Sequence, residues 1–336
     1  MGKLIFLLIL SLFFLTFACS EQKSVAILSS YDPEDVCGKP QLEGVLDALK
    51  NNLKDVKIDI TYLDSRRVSS EELSKRCDAF NSKVKTLQPS LIIVNDDAAF
   101  QCVAKHFMGG KIPVIFSGIN VSPDKYNEKF NFLKGRKPIK NFTGIYEKIF
   151  VKKQFEFLEI LGYKVEKIAV LYSNDMIGEI LKEQVIYETK GTAFEKKIVF
   201  YPVKNISEIE NAAKEINHRS DITAYFPFLM SIKDEKIYTL RDLKSLLLEK
   251  IKKPDISINE RFAEEGFLGG VSVDFYYMGY RAGEMASYLL KGVTNFPNLE
   301  VEESDIFIKT INLKRAKSLS IKVSEENLLL FDRVIR

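Results

Sequence analysis

The sequence predicts an α/β protein with two lobes, each built on a doubly wound parallel sheet. Three observations support this fold class. Short β-branched runs alternate with longer helical runs, which is the βα repetition of a parallel sheet with right-handed crossovers. Several strands are almost wholly apolar, as in residues 25–28 and 91–94, and such strands are covered by helices on both faces. The pattern then restarts after a polar, basic stretch at residues 126–141.

The elements of the first half follow from the spacing of apolar residues and from turn residues between them. Strands are predicted at residues 24–29, 57–63, 91–95 and 113–116, and helices at residues 40–53, 70–87 and 98–107.

The second half repeats this architecture without evident sequence identity to the first. Helices are predicted at residues 151–161, 177–190, 206–217 and 237–251, and strands at residues 167–172, 197–202, 222–227 and 255–258. Two such lobes create a cleft between the carboxyl ends of their sheets, where α/β folds bind ligands.

Polar and aromatic residues follow the predicted strands at this cleft. Hydroxyls, amides and carboxylates beside helix N-termini can fix a small polar molecule, and aromatic rings can cover its apolar part. Since Ser, Asn and Asp are also common helix caps, capping is the alternative for each residue alone. The segments are Ser29-Ser30-Tyr31-Asp32, Asn95-Asp96-Asp97, Ser117-Gly118-Ile119-Asn120, Tyr172-Ser173-Asn174-Asp175 and Phe226-Pro227-Phe228.

The N-terminus predicts export. Lys3 precedes about fifteen apolar residues that end at Ala18, which is typical of a signal peptide at residues 1–18 and falls short of the ~20 residues that span a bilayer. Residues 15–19 resemble a bacterial lipobox, although Thr16 and Phe17 depart from its usual order. We therefore expect lipidation at Cys19 and a body exported to the outer face of the cell membrane or to the periplasm. A plain secreted protein or an uncleaved anchor is the alternative.

Composition excludes some classes of partner. The chain has 49 basic and 46 acidic residues and a net charge of +3, without basic blocks or aromatic-interleaved basic patches. These features do not indicate nucleic-acid binding. A length of 336 residues is sufficient for two domains of ~150 residues.

Cysteine spacing leaves the disulfide state open. Apart from Cys19, the chain contains Cys37, Cys77 and Cys102, and no pair has the C-x-x-C or zinc-ligand spacing. Cys77 and Cys102 lie in successive predicted helices that could share one face of the sheet, so they are the preferred pair. Three reduced thiols remain the alternative.

Catalysis is not expected. The chain has only two histidines, His106 and His218, and each lies near a predicted helix end. It has no G-x-S-x-G, Walker or H-E-x-x-H motif. The pair Asp96-Asp97 could suggest a metal or an acid-base couple, but successive residues at such a turn point in different directions. We predict no metal and no cofactor.

Several segments resemble, in the same order, a family of ABC-transporter substrate-binding lipoproteins with a type I periplasmic-binding-protein fold. Some relatives in this family bind aromatic amino acids. The segments are residues 29–31 (SSY), 95–99 (NDDAA), 113–120 (PVIFSGIN), 270–279 (GVSVDFYYMG), 282–286 (AGEMA), 311–323 (INLKRAKSLSIKV) and 328–335 (LLLFDRVI).

The resemblance implies a hinge with three crossings, near residues 142–144, 269–272 and 295–305. The N-terminal lobe would then comprise residues 24–142 plus 272–295, and the C-terminal lobe residues 143–271 plus 300–336. Such loops absorb the backbone rotation of lobe closure.

The resemblance also implies the ligand contacts. One wall would carry Ser30, Tyr31, Asp96, Asp97, Ser117 and Asn120. Facing them or bordering the hinge would be Ser173, Asn174, Phe226, Glu260 and Asp274. The acidic stretch at residues 32–37 would favour a cationic or ammonium-bearing solute, unless it is an ordinary solvent-facing loop.

The resulting hypothesis is a monomeric solute receptor that is anchored by lipid and delivers a small polar molecule, such as an amino acid, to an ABC permease and its ATPase. The alternative is an extracellular ligand-binding sensory component that signals through a separate membrane partner.

Overall fold

The structure is a computed structural model that describes residues 22–229 and 231–336, so the predicted signal peptide and Cys19 lie outside the described residues. Its strands are β1 (Ser24–Ser29), β2 (Lys57–Tyr62), β3 (Leu91–Asn95), β4 (Val114–Ile119), β5 (Leu133–Lys134), β6 (Lys137–Pro138), β7 (Phe142–Tyr146), β8 (Lys167–Ser173), β9 (Ile198–Val203), β10 (Ile222–Phe228), β11 (Ile232–Lys233), β12 (Ile237–Tyr238), β13 (Gly269–Val273), β14 (Glu302–Glu303), β15 (Phe307–Asn312) and β16 (Arg333–Ile335).

The helices alternate with these strands. They are α1 (Gly38–Asn52), α2 (Ser70–Leu87), α3 (Asp96–Phe107), α4 (Pro123–Phe130), α5 (Val151–Ile160), α6 (Met176–Thr189), α7 (Ile206–His218), α8 (Leu240–Lys250), α9 (Glu260–Glu264), α10 (Phe275–Lys291), α11 (Leu313–Ser318) and α12 (Glu325–Leu328). Across the described ranges, no helix combines the length and the apolar character that a membrane span requires.

The first lobe contains a six-stranded parallel sheet in the order β14-β7-β4-β3-β1-β2. Alternate residues of its strands enter two apolar clusters, because successive strand side chains point to opposite faces. One cluster includes Val25, Ile93 and Ile115, and the other includes Phe100 and Phe116. The predicted doubly wound lobe is therefore confirmed.

Helices α1 and α10 pack closely over one face of this sheet although they lie far apart in the chain. A Cβ atom on Gly44 would lie 2.0 Å from the Tyr276 carbonyl oxygen, and one on Gly279 would lie 1.9 Å from that of Gln41. Only glycine permits this approach. Helix α10 thus packs with α1 on the sheet of the first lobe.

The second lobe has a parallel set in the order β10-β8-β9 and a second set in the order β13-β15-β16. Single bridges from Tyr225 to Asp255 and from Ile256 to Gly269 connect the two sets. The pairing of β13 with β15 is antiparallel, so this sheet is mixed at one side. Residues 255–258, predicted as a strand, form only these bridges.

Two other segments differ from the sequence prediction. Residues 237–238 form the short strand β12, and helix α8 begins only at Leu240, where Thr239 and Asp242 form a capping box. The basic stretch at residues 126–141 contains most of α4 and the hairpin of β5 and β6. Short pairings of this kind leave no periodic signal in the sequence.

Strand membership also places the chain crossings differently from the sequence prediction. Strand β7 lies within the first sheet, so the first crossing follows Tyr146 and not residue 142. Residues 272–273 belong to β13 in the second lobe, and β14 joins β7 in the first. These short strands flank the hinge, where membership is decided by a few hydrogen bonds.

Candidate ligand-binding site

The carboxyl ends of four strands of the first sheet meet at one edge. The register pairs Ser29 with Asn95, Asn95 with Ser117, and Ser117 with Ile145. The residues that follow these positions therefore lie side by side, as expected for a parallel sheet. Ser30, Tyr31, Asp96, Asp97, Ser117 and Asn120 are brought to this edge, and their roles as ligand contacts stay a prediction.

Asp96 has the most unusual backbone at this edge. Its φ is +72°, a region that non-glycine residues seldom adopt and that often marks functional sites. The side chain is 8% exposed, and its Oδ1 accepts a hydrogen bond from the Asp97 N–H at 2.6 Å. Burial raises the pKa of Asp96, while the neighbouring Tyr31 hydroxyl opposes the rise.

Asp97 holds the surrounding loop together. Its Oδ1 accepts hydrogen bonds from the Tyr126 hydroxyl (2.7 Å) and the Val121 N–H (3.3 Å), and its Oδ2 accepts one from the Asn120 N–H (2.9 Å). Burial, and next the charge of Asp96, raise the pKa of Asp97. Neither aspartate caps α3, because the N-cap position falls on Asn95 and has no side-chain cap bond.

Glu147 joins this acidic cluster. It directly follows β7, and its N–H donates to the Ile119 carbonyl at 3.0 Å. Burial raises the pKa of Glu147 well above its usual range, and the charges of Asp96 and Asp97 raise it further. We call Asp96, Asp97 and Glu147 the acidic cluster. Sequence reasoning missed Glu147 because residues 142–144 were assigned to a crossing, not to a strand with a polar end.

The acidic stretch at residues 32–37 does not supply uncompensated charge. Asp35 pairs with Arg66 at 2.6 Å, Asp32 with Arg67 at 3.0 Å, and Glu34 with Lys39 at 2.7 Å. The negative charge near the first loop therefore comes from the acidic cluster.

Arg66 and Tyr31 form a side wall of the site. The guanidinium carbon lies 3.8 Å from the centre of the Tyr31 ring, within the range of a cation–π interaction. Asp35, the ion-pair partner of Arg66, also accepts hydrogen bonds from the Cys37 and Gly38 N–H groups, each at 2.9 Å. The Arg66 charge is thus already paired before a ligand enters.

Two other residues of this wall have structural partners. The Ser30 hydroxyl donates to the Asn95 carbonyl (2.7 Å) and accepts from the Ala99 N–H (2.9 Å). The Ser117 hydroxyl accepts from Gln41 at 2.9 Å. In contrast, the Asn95 side chain is 1% exposed, and neither its oxygen nor its nitrogen has a partner among the described residues.

Most of the residues expected on the facing wall also have partners within the second lobe. The Ser173 hydroxyl donates to Asp175, which caps α6. Phe226 is fully buried and stacks on Phe228, with ring centres 5.1 Å apart. Asn174 is exposed.

Glu260 and Asp274 lie toward the hinge and the C-terminus. Glu260 pairs with Arg333 at 2.6 Å. Asp274 caps α10 by accepting from the Tyr277 N–H at 2.9 Å, and it lines a cavity of about 60 Å³ with Arg281 and Asp305. The structure does not bring these two side chains to the acidic cluster by any hydrogen bond among the described residues.

The two lobes touch across the cleft. The Asn259 amide nitrogen of the second lobe lies 3.1 Å from the Cys37 sulfur of the first, and burial raises the pKa of the Cys37 thiol. Nearby, the buried Ser257 hydroxyl has no partner in the described part of the chain. Within residues 22–229 and 231–336, no group of three or more His, Cys, Asp or Glu side chains is placed to hold a metal.

Two α/β lobes with polar strand ends on either side of a cleft define a two-lobed solute-binding protein. The model of the family described as ABC transporter substrate binding protein matches residues 37–335, and the chain belongs to this family. This is a family of binding proteins and not of enzymes. The type I periplasmic-binding-protein fold and the resemblance inferred from the sequence are thereby confirmed.

One curated relative matches part of the chain. A tyrosine-binding protein from Clostridioides difficile (strain R20291) is 25% identical over 201 residues, which are 57% of this chain and 56% of that protein. The match thus spans little more than half of that relative.

Two solved structures share the fold. An ABC domain in complex with L-Trp from Streptococcus pneumonia has a TM-score of 0.67 at 20% identity, over 94% of this chain and all of that one. A ligand-free, open substrate-binding protein with adhesive properties from Clostridium difficile has a TM-score of 0.68 at 19% identity, over 93% and 99% of the two chains.

Proposed function

We propose that this protein is the extracytoplasmic solute receptor of an ABC importer and that it captures a small ammonium-bearing molecule, such as an amino acid, between its lobes. The observation that carries the proposal is the acidic cluster. Asp96 and Asp97 are buried side by side, and the charges of both reach Glu147.

The charge balance of the cleft favours a cationic group in the ligand. Arg66 is the cation whose charge lowers the pKa of both Asp96 and Glu147, yet its guanidinium is paired with Asp35. Buried carboxylates without a paired cation are costly, and an ammonium group placed among them offsets that cost.

Unpaired polar atoms could hold the other end of the ligand. Asn95 and Ser257 each present a buried polar side chain without a hydrogen-bonding partner among the described residues, and an unmade buried hydrogen bond costs about 1–3 kcal/mol. A ligand carboxylate can accept from both groups. The relatives named for tyrosine and bound to L-Trp also support an amino acid.

Capture requires lobe movement about the three crossings, which we place after Tyr146, after Val273 and after Glu303. The predicted ligand residues Tyr31, Asp96, Asp97, Ser117, Asn120, Ser173, Asn174, Phe226, Glu260 and Asp274 are retained as a proposal, with Asn95, Glu147 and Ser257 added. The Ser30 hydroxyl is assigned to the loop instead, because it already bonds to Asn95 and Ala99. The contact between Cys37 and Asn259 would break when the lobes open.

Export and anchoring rest on the sequence of residues 1–19. Acyl chains on Cys19 would hold the protein at the membrane, at ~0.8 kcal/mol per buried CH₂, next to its permease and ATPase partners. Metabolic labelling with an alkyne fatty acid should mark the wild type and leave Cys19→Ser unlabelled. Equal labelling of the two proteins would contradict lipidation at Cys19.

The binding function is tested with the soluble chain from Ser20, freed of co-purified ligand. Its melting temperature is measured against amino acids, short peptides, nucleosides, purines and sugars. A ligand at about 100 times its dissociation constant adds ~2.7 kcal/mol to the free energy of unfolding. This raises the melting temperature by several degrees. A shift with amino acids and no turnover supports a solute receptor. No shift with any class would contradict the solute-receptor proposal.

A further inference from the structure

One surface of the first lobe, on the side opposite the cleft, gathers lysines that are far apart in the sequence. The parallel strands of the first sheet all begin there: the Lys57 N–H bonds to the Lys23 carbonyl, and the Ser90 N–H to the Ser24 carbonyl. We call this surface the amino-edge face. Its exposed lysines are Lys23, Lys50, Lys54, Lys57, Lys85, Lys105, Lys111 and Lys291.

These lysines occupy equivalent places in the fold. They lie in the last turns of α1, α2, α3 and α10, in the segments that lead into β1, β2 and β4, or, for Lys57, at the first position of β2. The Lys291 Nζ lies 3.3 Å from the Asn52 side-chain oxygen, which places the end of α10 beside the end of α1. Right-handed βαβ crossovers bring all such helix ends to one edge.

The lysines of the amino-edge face have no salt-bridge partner among the described residues. Elsewhere in the same lobe lysines are paired, as in Lys39 with Glu34, Lys75 with Glu71, and Lys83 with Asp59. The exposed Asp55 lies between Lys54 and Lys57 in the sequence and, among the described residues, forms no salt bridge with them. The face therefore carries a large net positive charge.

Two large apolar side chains stand among these lysines. Leu87 at the end of α2 is 46% exposed, and Val293 just beyond α10 is 71% exposed. Lysines interspersed with exposed aliphatic side chains are typical of a surface that meets lipid headgroups.

The start of the described chain lies on the same face. Gln22 is exposed, and β1 begins at Ser24. An extended chain advances at most ~3.3–3.6 Å per residue, so Ser24 can lie no more than roughly 18 Å from an acylated Cys19. Electrostatic attraction at an ionic strength of 0.1 M acts over about 10 Å. A tether of this length allows the lysines to come that close to the lipid headgroups.

We infer that the amino-edge face lies against the anionic lipid headgroups of the membrane that holds the anchor. This inference rests on the proposed lipid anchor for the orientation of the chain. The partner is an anionic bilayer, because the charge, the apolar side chains and the position of the tether all fit a lipid surface.

The test uses the soluble chain from Ser20, which contains every described strand and helix. Its sedimentation with vesicles of phosphatidylcholine is compared with sedimentation on vesicles that contain 30% phosphatidylglycerol, at 0.1 M and 0.5 M NaCl. We expect binding to the anionic vesicles alone and its loss at high salt. Each lysine at an anionic surface contributes about fivefold in affinity.

A matched pair of variants localises the effect. Changing Lys54, Lys57, Lys85 and Lys111 to Gln should reduce vesicle binding by at least about tenfold. Changing four exposed, unpaired lysines of the second lobe to Gln, namely Lys196, Lys214, Lys252 and Lys314, should leave it within about twofold of the wild type. Both variants should retain the wild-type melting temperature.

Three results would overturn the inference: no preference for anionic vesicles, wild-type binding by the first-lobe variant, or an equal loss in the second-lobe variant. The experiment requires neither Cys19 nor the solute. Its failure is therefore separate from a failure of fatty-acid labelling or of the solute panel.

Discussion

At the scale of single residues, the site contains two kinds of polar side chain. Some hold the loops through hydrogen bonds within the protein, and others have no paired charge or hydrogen-bonding partner. Ser30, Ser117 and Asp97 have their hydrogen bonds within the first lobe. Asp96 and Glu147 are carboxylates held near each other. We therefore expect substitutions of the first kind to lower stability and substitutions of the second kind to lower ligand affinity.

Replacing Asp96 with Asn should weaken ammonium-ligand binding by roughly 10–150-fold, because hydrogen bonds to charged groups contribute about 1.5–3 kcal/mol. Asn tolerates the left-handed backbone of this position, so the unliganded melting temperature should not fall. Calorimetric titration and thermal melting measure the two quantities. A clear loss of stability with unchanged affinity would give Asp96 a purely structural role.

The matched control is Ser30→Ala. It leaves the buried Ala99 N–H without its acceptor, which should lower the free energy of unfolding by about 1–3 kcal/mol, or ~2–4 °C per kcal/mol. The affinity of the folded protein should stay within about threefold of the wild type.

Ligand affinity should fall as the pH is lowered from 8 to 5. Burial raises the pKa of Asp96, Asp97 and Glu147, so protons compete with a cationic ligand in this range. Binding an ammonium group then releases protons, which calorimetry in buffers of different ionisation enthalpy detects. A pH-independent affinity without proton release would argue against contact with the acidic cluster.

At the scale of elements, the connections between strands depend on a few buried side chains. Asp255 is fully buried, accepts from the Leu268 N–H at 2.5 Å, and pairs with Arg315 at 2.7 Å. This ion pair holds the bridging segment between β10 and β13 against α11. Helix α6 holds the segment after the first crossing in the same way. Its Glu188 carboxylate accepts hydrogen bonds from the Ile149 and Val151 N–H groups.

The disulfide is a second connection between elements. Cys77 of α2 and Cys102 of α3 are joined, with Cα atoms 5.5 Å apart, and the loop that they close spans 25 positions. Replacing both with Ser should lower the free energy of unfolding by about 3 kcal/mol and leave ligand affinity unchanged. Chemical denaturation with and without reductant measures this; equal stability in both conditions would contradict a structural role.

The sequence was sufficient for most elements but not for the details of the site. Strands such as residues 24–29 and 91–95, and helix 70–87, were predicted with the bounds that the structure has, because their apolar patterns are strong. Glu147 was missed because β7 lies in a segment without alternation. The amino-edge face could not be foreseen, since its lysines come together only when parallel strands align.

At the scale of the whole molecule, buried acids should make the unliganded protein more stable at mildly acidic pH. Burial raises the pKa of Glu188 to about 7 and that of Asp255 to about 6. The native state then binds more protons than the unfolded state between about pH 4.5 and 7, so stability falls as the pH rises through this window.

The melting temperature should therefore increase by several degrees from pH 7.5 to 5. Below about pH 4 the trend should reverse, because hydrogen bonds from Arg219 hold the pKa of Asp221 well below its usual range. Differential scanning calorimetry across this range tests both parts. A melting temperature that rises steadily from pH 5 to 7.5 would contradict the burial of these carboxylates.

We propose that the cleft recognises the ammonium group of its ligand. Calorimetric titration of ligand-free protein at pH 7.5 tests this with tyrosine or tryptophan and with the analogues that lack only the amino group. We expect loss of the ammonium group to weaken binding by at least about tenfold, and Asp96→Asn to remove most of this difference. Equal binding of both members of a pair would contradict it.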